Sequence, residues 1–130
     1  MYLLDTNTLI YFFKGIGNVS QNLLSKSPKD IAIPAIALYE LQVGIKKSVN
    51  PQKRKKQLNT LVSRVTISSF GAKEAETADT IRANLESKGT PIGPYDILIA
   101  GIAISSKSTL VTHNTKEFKR VKNLIVEDWY

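Results

Sequence analysis

The sequence predicts an α/β fold: a three-layer α/β/α sandwich around a mainly parallel central sheet. Three observations carry that expectation. Short apolar or β-branched runs recur at Tyr2-Leu3-Leu4, Ile31-Ala32-Ile33, Val65-Thr66-Ile67, Thr109-Leu110-Val111-Thr112 and Leu124-Ile125-Val126, all of strand length. Between them lie longer stretches whose apolar residues return every three or four positions, the period of a helix. Strands that alternate with helices join as parallel neighbours, with crossover helices covering both faces of the sheet. A chain of 130 residues with 42% hydrophobic content and no internal repeat or linker suits a single domain, 1–130, able to bury a core.

Taken in order, the first strand ends at Asp5, after which Leu9, Ile10, Phe12 and Phe13 recur at helical intervals. Asp5, Thr6, Asn7 and Thr8 supply the polar atoms that suit a helix start. Gly15 and Gly17 break this helix, and Asn18 to Ser27 reads as a short one with Val19, Leu23 and Leu24 on one side. Pro34 closes the second strand. Ala35 to Lys47 follows as a helix faced by Leu38, Leu41 and Ile45, with Glu40 in its second turn. Pro51 to Val62 is a basic helix: Lys53, Arg54, Lys55 and Lys56 form its exposed half, and Leu58, Leu61 and Val62 its buried half. After the third strand, Ala72 to Lys88 is the longest helix. Its narrow stripe of Ala75, Ala78, Ile81 and Leu85 favours close packing, and Gly89 marks its end. Pro94 suits the first position of the next helix, which is apolar almost all round from Ile97 to Ile104 and should be central and buried. The fourth strand leads to a polar corner, His113-Asn114-Thr115, then to a short basic helix with Lys116, Lys119 and Arg120, and to a last strand at the sheet edge.

The formal net charge of +7 points towards a polyanionic partner, because Lys and Arg release condensed counterions when they bind phosphates. The absence of cysteine removes disulfides, thiolate metal sites and cysteine nucleophiles together and fits a reducing compartment. The first apolar run gives way to Asp5 within a few residues, so no signal peptide is expected, and no later run approaches membrane-spanning length. A cytoplasmic location is the expectation.

Three acids stand in comparable places: Asp5 after the first strand, Glu40 early in the helix after the second, and Asp96 in the first turn of the buried helix before the fourth. Each has a structural reading. Asp5 caps a helix, and Asp96 complements a helix dipole. In a parallel sheet, however, all three come to one edge, where ligands of open α/β sheets bind. Converging carboxylates repel unless a cation lies between them. With no Cys and a single His, an all-oxygen site for Mg²⁺ or Mn²⁺ is the natural solution. Such an ion orients water and stabilises developing charge on a phosphate, which together with the basic balance suggests metal-dependent phosphodiester hydrolysis.

The opening Leu-Leu-Asp-Thr-Asn-Thr-Leu-Ile, Tyr39-Glu40-Leu41 with Gly44 nearby, Pro91-Ile92-Gly93-Pro94-Tyr95-Asp96, Thr112-His113-Asn114-Thr115-Lys116-Glu117-Phe118 and Val126-Glu127-Asp128-Trp129 resemble, in matching order from end to end, a PIN-domain ribonuclease of the VapC toxin type. The resemblance implies that Asp5, Glu40 and Asp96 are acidic metal ligands and that Asn114 stands with Thr112 at a fourth, catalytic corner. Members often carry another acid there; here Asn114 is neutral and Glu117 lies one turn on, which counts against a tightly held second metal. Thr6 and Asn7 would support Asp5 by hydrogen bonding. Arg82 lies in a stretch similar to the family's, with RNA contact or a surface ion pair as its two readings, and the Lys53–Lys56 run is either a solvated face or part of the RNA surface. His113 is read as an exposed loop residue rather than a general base, and Trp129 as a packing anchor. The resemblance further implies a small antitoxin partner, toxin homodimers, DNA contact only through the antitoxin, and structured RNA, especially transfer RNA, as substrate.

Two rival functions differ in class. Asp5-Thr6-Asn7-Thr8 approximates the nucleophile loop of haloacid-dehalogenase-like phosphatases, although Asn7 replaces its second acid; activity on a phosphomonoester separates that reading from a nuclease. A non-catalytic RNA- or protein-binding module with the same fold is the other, and metal-dependent cleavage separates it.

Overall fold

A computed structural model describes all of residues 1–130. In chain order the elements are β1 (Tyr2–Leu4), α1 (Thr6–Lys14), α2 (Val19–Leu24), a single 3-10 turn (Pro28–Asp30), β2 (Ile31–Pro34), α3 (Ala35–Lys46), α4 (Pro51–Val62), β3 (Thr66–Ser68), α5 (Ala72–Ser87), α6 (Pro94–Ser105), β4 (Thr109–Val111), α7 (Thr115–Phe118) and β5 (Val126–Glu127). The strands form one sheet in the order β3-β2-β1-β4-β5, and every pairing is parallel rather than merely most of them. β1 is therefore central, and successive residues on it face opposite layers. Leu3, Ala32 and Leu110 join α5 and α6 in one core; Leu4, Ile31, Ile33 and Val111 join residues of α1, α2, α3 and α4 in the other. That alternation is the pleat of a sheet covered on both faces.

Local chemistry explains the boundaries. Asp5 caps α1, and Gly15 ends it in the left-handed conformation at φ 67°, which favours glycine. Pro51 and Pro94 occupy the first turns of α4 and α6, where a missing N–H costs no helical bond. α5 and α6 approach so closely that a Cβ on Gly101 would lie 2.9 Å from that of Ala78, which is why the α5 stripe is built of small residues.

Several expectations need correction. Leu24 is 75% exposed, because Val19 and Leu23 are one turn apart and Leu24 lies about 100° further round α2. β5 begins at Val126 rather than Leu124: Asn123 turns the chain with φ 68°, and Leu124 packs down onto the core. On α3 the deepest residues are Ala37 and Leu41, with Leu38 and Ile45 half-buried. Arg54 is half-buried, not in the exposed half of α4; it donates to Gln57 Oε1 at 3.3 Å and lines a cavity with Lys14, Glu40 and Ser48. No helix is long and apolar enough to cross a membrane.

Topology places the acids. α3 leaves the C-terminal end of β2, so its early residues stand at that edge. α6 leads into the start of β4 and runs back along it; twelve residues at about 1.5 Å each return its N-terminus to the same edge. Asp5, Glu40 and Asp96 meet there, at the point where the chain's strand order departs to both sides of β1.

Candidate active site

Asp5 is 4% exposed, and each of its carboxylate oxygens accepts one hydrogen bond. Its Oδ1 accepts the backbone N–H of Thr8 at 2.9 Å, and its Oδ2 accepts the Thr112 hydroxyl at 2.6 Å. The cap and the site acid are thus the same residue. Burial pushes the Asp5 carboxyl above the usual carboxylate range, and the bonds from Thr112 and Thr8 pull the other way because they favour the ionised form. The Thr112 hydroxyl also accepts the backbone N–H of Asn114 at 3.0 Å, which ties the corner after β4 to Asp5.

Glu40 Oε1 accepts the Thr6 hydroxyl at 2.7 Å. This corrects the expected role of Thr6: from the first turn of α1 its side chain spans the cleft to α3 and steadies Glu40, while Asp5 is held by Thr8 and Thr112. Asn7 is exposed beside the cavity and makes no side-chain hydrogen bond. Asp96 is half-buried, with its pKa raised to about 6, first by burial and then by the charges of Asp5, Glu117 and Glu40. Asn114 donates to Glu117 Oε2 at 2.7 Å, so the neutral corner and the acid one turn on form a single unit.

Asp5, Thr6, Asn7, Glu40, Gly93, Pro94, Tyr95 and Asp96 line one cavity of about 250 Å³. None of its acids has a cationic partner; the chain's ion pairs are Arg82–Glu86 and His113–Asp128. The acids offer only oxygen donors and form no ion pair, so the lining suits a hard divalent cation. No three acidic or imidazole side chains are near enough together to form a ready-made metal cluster, so a cation held here would need water to complete its coordination.

The remaining sequence-predicted residues stand elsewhere. Arg82 pairs with Glu86 at 2.9 Å on the outer face of α5, the ion-pair reading. Lys53, Lys55 and Lys56 are exposed on α4, and the surface hollow lined by Lys55 and Lys56 contains none of the site acids. His113 is stacked 4.0 Å from the Tyr130 ring, with Nδ1 3.0 Å from Asp128 Oδ2. Trp129 is buried 5.3 Å from the Tyr2 ring, which makes it the packing anchor expected. Sequence reasoning missed Tyr39 and Tyr95, whose rings lie 6.1 Å apart and nearly perpendicular beside the cavity. A signal was present: each tyrosine immediately precedes a site acid. The neighbouring Tyr39 side chain, then burial and the Glu40 charge, raise the Tyr95 pKa above the ordinary phenol value.

The sequence pattern of the PIN domain matches residues 2–124, nearly the whole chain and all of the cavity lining. The chain belongs to the PIN-domain family. Ribonuclease VapC2 of Rickettsia felis is 42% identical over 131 residues, covering 99% of this chain and 98% of that protein. The tRNA(fMet)-specific endonuclease VapC of Salmonella typhimurium is 35% identical over 128 residues, covering 98% and 97%. Among solved structures, DNA-bound VapBC from Salmonella typhimurium superposes with a TM-score of 0.92 at 35% identity, covering 99% of this chain and 98% of that one. VapBC2 of Rickettsia felis, bound to a DNA fragment from its promoter, superposes with a TM-score of 0.89 at 42% identity, with the same coverage. This PIN domain is accordingly an endoribonuclease of the VapC toxin type, and PIN-domain ribonucleases in general depend on divalent metal. The phosphatase and non-catalytic readings fall with that relationship.

Proposed function

We propose that this PIN domain hydrolyses phosphodiester bonds in transfer RNA, using Mg²⁺ or Mn²⁺ held by Asp5, Glu40 and Asp96. The observation that carries the reading is the convergence of three acids, from the ends of β1, α3 and α6, on one cavity without a cation. A divalent ion there supplies positive charge to orient water and to stabilise the charge that develops on the phosphate. The chain's own contribution is placement. Thr112 and Thr8 keep Asp5 oriented and favour its ionised form, Thr6 fixes Glu40, and the first turn of α6 presents Asp96. Asn114, locked between Thr112 and Glu117, is tied to Asp5 through the Thr112 hydroxyl and does not itself line the cavity. In the reaction a bond forms between water oxygen and phosphorus, the bond from phosphorus to the 3′ oxygen breaks, and the 3′ oxygen leaves with a proton. The products carry a 5′-phosphate and a 3′-hydroxyl.

Transfer RNA is favoured because the Salmonella relative is named for it, and the net charge of +7 suits a polyanion. The same relationships support a small antitoxin as partner, since the similar structures are VapBC complexes bound to DNA; a homodimeric toxin and DNA contact through the antitoxin complete the proposal. The test is incubation of purified protein with total RNA in Mg²⁺, in Mn²⁺ and in chelator, with the new 5′ ends mapped. Metal-dependent 5′-phosphate ends confined to transfer RNA are expected; cleavage that persists in chelator ends the metal reading.

A further inference from the structure

We propose that Tyr39 and Tyr95 form a stacking platform for an unpaired nucleobase beside the scissile phosphate, so that cleavage favours a nucleotide free to leave its stack. The inference rests on the ribonuclease reading of the carboxylate cavity and extends it to the form of RNA accepted. Tyr39 is 53% exposed and Tyr95 45% exposed, although neither ring buries enough surface to serve the core. Their centroids lie 6.1 Å apart at 74°, an edge-to-face pair that leaves ring surface open to solvent. Tyr95 lines the cavity itself, and the Tyr39 ring lies 6.1 Å from it, so the pair stands beside the carboxylates.

Both side chains are carried on helices and have few rotatable bonds, so little freedom is lost when a base lands on them. A base in an A-form duplex is stacked on both faces and has none to offer, whereas loops and bulges expose theirs. The alternative occupant is a second copy of the chain. The place of the pair beside the carboxylate cavity, which Tyr95 itself lines, favours a base, and sedimentation of the alanine pair tests the second copy.

The probe is a short hairpin RNA, cleaved in Mg²⁺ to locate the cut and then remade with an abasic nucleotide on either side of it. Replacing both rings, Tyr39→Ala with Tyr95→Ala, should lower kcat/KM by about tenfold, mostly through KM, as loss of one stacked base does. Removing the base should cost wild type a similar factor, and combining the two changes should cost no more than either alone. The pair Tyr39→Phe with Tyr95→Phe should restore cleavage, since the ring and not the hydroxyl is the platform. Multiplicative losses, or an alanine pair as active as wild type, overturn the proposal, as does an alanine pair that sediments at a lower mass than wild type. A second reading separates this failure from that of the ribonuclease reading: 2-aminopurine at the flanking loop positions should be quenched on binding wild type in chelator, but not on binding the alanine pair. If wild type cleaves no RNA, the ribonuclease reading fails on its own. Quenching still supports the platform in that case, and its absence overturns it.

Discussion

Asp5 spends one oxygen on the start of α1 and receives Thr112 on the other, so the chain's central strand ends in a carboxylate whose orientation is fixed before any ligand arrives. Thr112→Val keeps the shape and removes the 2.6 Å bond, which should lower divalent-metal affinity by about 10–100-fold, measured by calorimetric titration. Asp96 is the opposite case, a half-buried acid facing other acids, with its pKa raised to about 6. A carboxyl with a raised pKa binds its proton more tightly in the folded chain than in the unfolded one. The stability it contributes is complete below the unfolded value of 3.8 and is lost as pH climbs through about 6. In chelator, Asp96→Asn should therefore be more stable than wild type near neutrality, with the two curves converging as pH falls through that window. The gain should be on the order of 1 kcal/mol, less than the pKa alone suggests, because the carboxyl is partly solvated and screened. Loss of the helix-dipole interaction opposes it by about 0.3–1 kcal/mol. Saturating Mg²⁺ stabilises wild type by mass action and should shrink the difference. Thermal melts of both proteins check this; an Asn variant equally less stable with and without metal would make Asp96 a structural cap.

The elements were legible where periodicity was strong. The Asp5 turn, the α6 core helix and the small-residue stripe of α5 could all be read because each follows from the spacing of side chains along one segment. What could not be read depends on partners far apart in sequence. Thr6 was expected beside Asp5, its chain neighbour, yet its hydroxyl crosses to Glu40, 34 residues away. Arg54 was grouped with three lysines by adjacency, yet its position on α4 turns it over α3 towards Glu40 and Lys14. Leu24 was placed on one side with Val19 and Leu23, yet the turn of α2 carries it about 100° past Leu23 into solvent. The α5–α6 contact offers a test at this scale. Gly101→Ala places a methyl 2.9 Å from Ala78 Cβ and 3.1 Å from the Glu74 carbonyl oxygen, so the helices must part. A loss of about 1–3 kcal/mol in denaturant unfolding is expected, as for other overpacked cores. An unchanged midpoint would mean that the two helices are free to slide.

Across the whole molecule, charge is divided. The chain is basic by +7, while the cavity collects acids and has no cation of its own. Long-range attraction of RNA and local demand for a metal are then separate effects, and they should respond separately to salt and to chelator. RNA binding should weaken steeply with salt, and neutralising Lys53, Lys55 and Lys56 together should lower that slope across unrelated RNAs. An unchanged slope in filter-binding titrations would return those lysines to a solvated role. The central claim is that the cavity of Asp5, Glu40 and Asp96 is where a metal-dependent ribonuclease works. Single-turnover cleavage of transfer RNA across a Mg²⁺ titration, by wild type and by Asp96→Asn, tests it most directly. Wild type should be silent in chelator and rise to saturation with Mg²⁺, and Asp96→Asn should remain slower by a factor on the order of 100 or more at saturating metal. Turnover by Asp96→Asn at the wild-type rate, or wild-type cleavage undiminished in chelator, would contradict the account.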